Sequence, residues 1–178
     1  MNWVFPFARK ARAIEFYKEY GFVGIFPILE PADILALRGA FDEAVSNGSV
    51  VPSEEDVFGC DDAIFKHSLF EKYAKDPRLL ALVEELFGAD FELQHAKLNC
   101  KPMGNKEKGV IKWHQDFPFF PHTNYDLVAL TIHLDDEDEA SGSIQVIPRS
   151  HEWGVLSHCR DGEFLYVTCF YGNETELR

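Results

Sequence analysis

The chain has 178 residues, the length of one domain, and 46% of them are hydrophobic, with 16 Phe in the sequence. A chain of this size and composition can bury a sizeable core, which argues against disorder. Lys and Arg number 17 against 30 Asp and Glu, a formal net charge of -13, and such a surface repels nucleic acid and anionic membranes, leaving room only for a local basic pocket that takes a small anion.

At the N-terminus a short apolar run with Pro6 precedes Arg9 and Lys10, the reverse of a secretory signal. No stretch approaches the roughly 20 apolar residues that span a bilayer. The expectation is a soluble, cytoplasmic chain, without nucleic acid or membrane partners. Residues Ala8 to Tyr20 suit an amphipathic helix with Ala11, Ile14, Phe16 and Tyr17 on its buried side, ended by Gly21. Phe22 to Leu29 has strand composition. Pro31 opens a second helix, with Ile34, Leu35, Leu37, Phe41 and Val45 as its apolar face and Gly48 at its end. Residues 49–65 are acidic and irregular and read as a surface loop. Asp76-Pro77 is a helix start, an N-cap carboxylate before Pro at the first helical position. Leu79, Leu80, Leu82, Val83 and Leu86 give that helix its buried side, and Gly88 stops it.

Beyond Gly88 the pattern changes from helix to strand. Strands are predicted over Phe91 to Cys100, Leu127 to Leu134, Ser143 to Ile147 and Phe164 to Tyr171, with an acidic turn from Asp135 to Gly142. Helices first and strands later argue for an α+β fold, a helical layer against a β-sandwich or barrel, in one domain spanning residues 1–178. The four cysteines, Cys60, Cys100, Cys159 and Cys169, contain no CxxC pair. A zinc ribbon or thioredoxin-like site therefore has no support, and no disulfide framework is expected in a chain this rich in core residues.

The informative segment is Trp113-His114-Gln115-Asp116. On an extended strand, residues two apart point the same way. His114 and Asp116 would then offer an imidazole nitrogen and a carboxylate oxygen to one point, two of the three ligands of a two-His, one-carboxylate facial triad. Taken by spacing alone, HxD is a weak signal, because a His and an Asp so placed are more often surface or hydrogen-bonded residues. Phe117-Pro118-Phe119-Phe120-Pro121 either lines an apolar pocket or packs under a loop. The acidic run Asp135 to Glu139 reads as a solvated turn rather than a cation site.

The stretch from Trp113 to Phe117, then Asp126-Leu127-Val128, the acidic turn, and Gly142-Ser143-Ile144-Gln145-Val146-Ile147-Pro148-Arg149-Ser150-His151 resembles the phytanoyl-CoA dioxygenase family. Phe16-Tyr17, Gly21-Phe22-Val23 and the Pro31 helix look like that family's N-terminal segment, so the likeness runs from about Phe16 to Val155. It implies a double-stranded β-helix (a jelly roll) with N-terminal helices. The implied activity is that of a non-haem oxygenase using Fe(II), 2-oxoglutarate and O2 to hydroxylate a small organic or acyl substrate. By the same likeness His114 and Asp116 are metal ligands and the catalytic centre, while Lys97, Asn99 and Gln115 lie toward the co-substrate. His151 is a structural hydrogen-bonder. Arg149 stands where the family has Gly, which leads us to expect a turn that avoids positive φ. A carboxylate at Asp116 favours hydroxylation over halogenation.

The family's distal His, and the Arg that follows it, have no counterpart at the expected spacing. His122, His133, His151 and His158 follow Asp116, with His158 the best substitute ligand, and Arg178 lies beyond the pattern. Roughly four strands follow the helices, where a jelly roll needs eight. The expectation is a shortened version of a longer chain. Its alternative is a truncated, catalytically inactive member acting as a binding module. A cupin-like enzyme with another metal, completed by His133 or His158, is the third reading.

Overall fold

The computed structural model describes residues 2–51, 58–100 and 111–165. Its elements in chain order begin with strand β1 (Val4–Phe5), helix α1 (Lys10–Tyr20), strand β2 (Gly24–Ile25) and helix α2 (Pro31–Ser46). Strand β3 (Phe58–Asp61), helices α3 (Ser68–Ala74) and α4 (Pro77–Phe87), and strand β4 (Lys97–Cys100) follow, then β5 (Cys159–Arg160) and β6 (Glu163–Phe164). The strands form three two-stranded sheets: β1 and β2 parallel, β3 and β4 antiparallel, β5 and β6 antiparallel. The fold is α+β, as expected.

Helix boundaries follow local chemistry. Gly21 caps α1 with φ of 83°, and its N–H bonds to the Tyr17 carbonyl; only glycine takes this left-handed position without strain. Pro31 occupies the first turn of α2, and the Asp33 carboxylate accepts the Glu30 N–H at 2.8 Å. Asp76 caps α4 by accepting the Arg78 N–H at 2.9 Å.

The core gathers Leu37, Ala40 and Ala44 of α2 with Cys60 of β3, Phe70 and Tyr73 of α3 and Leu79 of α4. Leu37 is 4% exposed, and burial of such a side chain contributes about 1.5–3 kcal/mol. The stripe on α2 is Leu37, Ala40 and Ala44, the spacing of one helical face. Leu35 was expected there but lies off the stripe, 67% exposed. On α1 the buried pair is Ala13 and Ile14, while Ala11 is exposed. Tyr73 Oη donates to Asp33 Oδ1 at 2.7 Å, and Arg78 Nη1 bonds Asp33 Oδ2 at 2.8 Å, so one carboxylate ties α2, α3 and α4 together.

Three expectations need correction. The loop predicted for residues 49–65 contains β3, paired with β4 in the register Phe58↔Cys100 to Asp61↔Lys97. Among the described residues, 127–134 and 143–147 form no ladder, so no jelly roll is seen there. Ile132 and Leu134 nevertheless pack on the helical core while Thr131 and His133 are exposed. The alternation is that of a strand without a hydrogen-bonded neighbour. Arg149 has φ of 67° and ψ of 7°, so the turn keeps the left-handed backbone it was expected to avoid. Contacts with α1 offset the strain: the Arg149 N–H donates to the Tyr20 carbonyl at 2.9 Å, Nη2 meets Glu19 Oε1 at 2.7 Å, and the guanidinium sits 5.2 Å from the Tyr20 ring centroid. The strand expected over Phe164 to Tyr171 is seen only at its start, in β6; residues from 166 onward lie outside the described residues, as does Cys169.

Candidate functional site

The segment 111–116 is not a paired strand, and Asp116 already has helical φ and ψ of -69° and -35° as it leads into a short 3-10 turn, Phe117–Phe119. His114 and Asp116 meet all the same: Nε2 lies 3.4 Å from Asp116 Oδ1. The other ring nitrogen, Nδ1, is 2.8 Å from the Lys112 carbonyl. A proton on Nδ1 donates to that carbonyl; a second proton on Nε2 bonds the carboxylate in the metal-free chain, and its loss frees the Nε2 lone pair for a metal. A backbone partner that fixes the tautomer in this way is the usual arrangement behind a metal-binding His.

Charge follows the geometry. The hydrogen bond with Asp116 raises the His114 pKa above its ordinary value, helped by the Lys112 carbonyl and opposed by partial burial. The bond to His114 holds the Asp116 carboxyl below its ordinary value, and the charges of His114, His95 and Lys97 add to that effect. Lys97 and Asn99 share the exposed side of β4, whose other side, Leu98 and Cys100, is half-buried. The Lys97 ammonium is 3.5 Å from Asp61 Oδ1 across the ladder. His95, two residues before Lys97, was not singled out from sequence; the parity that groups Lys97 with Asn99 was the available signal.

Gln115 points elsewhere. Its Nε2 donates to the Gly154 carbonyl at 2.8 Å, its Oε1 accepts the Leu156 N–H at 2.8 Å, and its own N–H donates to His158 Nε2 at 3.2 Å. A cavity of about 150 Å³ opens beside it, lined among others by Trp113, His114, Gln115, Trp153 and Leu156.

An imidazole Nε2 and a carboxylate oxygen suit Fe(II), so the pair fits two corners of the family's metal site. No group of three His, Cys, Asp or Glu able to hold a metal occurs among the described residues. None of the candidate third ligands joins the pair, and each has a ring nitrogen bonded away from it. His122 Nδ1 is 2.7 Å from the Phe120 carbonyl, His133 Nδ1 is 3.1 Å from Glu137, and His151 Nε2 is 3.2 Å from the Lys18 carbonyl. His158, 3% exposed, accepts from Gln115 through Nε2 and has Nδ1 3.1 Å from the Leu156 carbonyl. It is therefore not the substitute ligand that its place in the sequence suggested.

The sequence profile of the phytanoyl-CoA dioxygenase (PhyH) family matches residues 17–173. A probable alpha-ketoglutarate-dependent hypophosphite dioxygenase of Stutzerimonas stutzeri is 32% identical over 99 residues, covering 54% of this chain and 34% of the relative. L-proline trans-4-hydroxylase of Streptomyces griseoviridis is 34% identical over 84 residues, 45% of this chain and 31% of the relative. Peroxisomal phytanoyl-CoA dioxygenase of Bos taurus is 26% identical over 163 residues, 81% and 48% respectively. The chain thus spans about a third to a half of the length of these curated relatives. No solved structure matches it. The relatives' names are those of oxygenases and give no support to an inactive binding module. With the profile covering most of the sequence and the His and Asp of its His-Gln-Asp motif in contact, the chain belongs to the phytanoyl-CoA dioxygenase family.

Proposed function

We infer that this chain carries the iron-binding His-x-Asp motif of an Fe(II)- and 2-oxoglutarate-dependent oxygenase that hydroxylates a small molecule. The observation that carries the reading is the meeting of His114 Nε2 and Asp116 Oδ1 within the family's motif. Fe(II) bound with a 2-oxoacid supplies the oxidising chemistry with O2. The protein's part is to hold and surround it. His114 offers Nε2 with its tautomer set by the Lys112 carbonyl, and Asp116 stays ionised because His114, His95 and Lys97 favour its charge. Lys97 supplies an ammonium for a carboxylate of the 2-oxoacid, and Asn99, on the same side of β4, adds a hydrogen-bonding amide. Phe119 stands edge-on to the His114 ring at 5.9 Å between centroids and gives the site an apolar wall. We assign all 178 residues to one domain, with the jelly-roll strands as the family's fold. Among the described residues no helix is long and apolar enough to cross a membrane, and a cytoplasmic location remains part of this proposal.

The test is an anaerobic titration of the purified chain with Fe(II) and 2-oxoglutarate, watching for the visible charge-transfer band of the chelate. The wild-type chain shows the band. His114→Ala weakens Fe(II) binding by more than about 100-fold, beyond the loss typical of an outer-shell partner. No band in the wild-type chain refutes the proposal.

A further inference from the structure

We propose that Gln115 is a positioning residue: with buried His158 it clasps the metal-binding motif to the segment Gly154–Leu156, and so holds His114 and Asp116 face to face. The proposal rests on the reading of those two as the metal pair. The observation that carries it is the set of three bonds made by the single residue between them. Its amide donates to the Gly154 carbonyl and accepts the Leu156 N–H, both at 2.8 Å, pairing edge to edge with backbone as a neighbouring strand would. Its backbone N–H donates to His158 Nε2 at 3.2 Å.

The partners lie 39 to 43 residues away, so these are tertiary bonds. They stand where regular structure is missing, because residues 111–116 belong to no ladder. Three fixed bonds on residue 115 set the φ and ψ on either side of it, and hence the directions of the 114 and 116 side chains. His158 is built for its part. It is 3% exposed, and Nδ1 beside the Leu156 carbonyl takes the proton, which leaves Nε2 as the acceptor that Gln115 needs. Phe119 packs edge-on against both the His114 and the His158 rings, at 5.9 and 5.7 Å, a second physical link between clasp and pair.

The chemical consequence separates this role from a contact with the co-substrate. A residue that positions the ligands changes metal affinity before any 2-oxoacid is added. A residue that touches the 2-oxoacid changes only the second binding step.

The experiment compares wild type, Gln115→Ala, His158→Gln and the double variant in two measurements. The first is NMR amide exchange of the metal-free chain. In Gln115→Ala, exchange rises at the amide of residue 115 itself, which that side chain does not bond, while the α2 amides keep their protection. His158→Gln retains an acceptor for this N–H and raises exchange less. The second is Fe(II) affinity without 2-oxoglutarate, then 2-oxoglutarate affinity at saturating Fe(II). Gln115→Ala weakens the first by about 10- to 100-fold and leaves the second near wild type, and the double variant is no worse than the worse single one. Unchanged exchange at residue 115 overturns the clasp. So does unchanged Fe(II) affinity with weakened 2-oxoglutarate binding, which would place Gln115 on the co-substrate. If the wild-type chain binds no Fe(II), the proposed function fails, while the exchange measurement still decides whether the clasp exists.

Discussion

Gly21→Ala tests how the Pro148-to-His151 segment is docked on α1. Gly21 has φ of 83°, and a Cβ there would fall on the His151 ring, with Cγ 2.8 Å and Cβ 3.2 Å away. Two costs add. The left-handed backbone costs an L-residue about 1–2 kcal/mol. Pushing His151 aside also loses its bond to the Lys18 carbonyl, 3.2 Å long and worth about 1 kcal/mol. Gly48 supplies the control, because it has φ of 77° and open space where a Cβ would be built, so Gly48→Ala carries the backbone cost alone. Gly21→Ala is therefore expected to destabilise by about 2–3 kcal/mol and Gly48→Ala by about 1–2 kcal/mol. At this chain length each kcal/mol moves Tm by about 2–4 °C. Denaturant melts of both variants, repeated in a His151→Ala background, separate the terms. With His151 removed, Gly21→Ala should cost no more than Gly48→Ala. Equal costs for the two glycine variants in the wild-type background refute the assignment of His151 as the residue packed on the α1 cap.

Three further outcomes follow from the geometry. Bonds from Arg78 first, then Tyr73 and the Glu30 N–H, hold the Asp33 pKa down at about 2. Its contribution to stability is thus present above the ordinary carboxylate value and lost as pH falls from about 4 toward 2. Asp33→Asn is less stable than wild type at neutral pH, and the gap closes over that window in a pH series of melts. Arg149→Gly relieves a left-handed backbone costing about 1–2 kcal/mol and gives up an exposed ion pair with Glu19 and a cation–π contact with Tyr20, each worth up to about 1 kcal/mol, so the two nearly cancel and Tm stays close to wild type; a large rise would mean that the contacts do not offset the strain. Burial first, then Asp135 and Cys60, push the Cys100 thiol up to about 11, while Cys159 is exposed. Mass-spectrometric mapping of alkylation at pH 8 should label Cys159 well before Cys100.

What the sequence determined by itself is what neighbours along the chain decide. Pro31, Asp76-Pro77, Gly21 and Gly88 marked the ends of α1, α2 and α4, because caps and left-handed glycines act within one turn. His114 and Asp116 were legible as a pair from their motif, but the extended geometry assumed for them is absent: the segment is unpaired and Asp116 is helical, so tertiary bonds at Gln115 bring the two side chains together. Helix α3 was missed because its 7 residues, with Phe70 and Tyr73 buried, are too few to show a period. Strand β3 hid in an acidic segment because the partner that completes its ladder, β4, lies some 40 residues away. Arg149 holds a glycine conformation that only its contacts with α1 make tolerable. The exclusion of His158 as a metal ligand was likewise tertiary. Among the histidines after Asp116 it was the best substitute ligand on offer, although not at the family's spacing, whereas burial and the Gln115 N–H, 43 residues distant in sequence, commit its nitrogens to holding the motif in place.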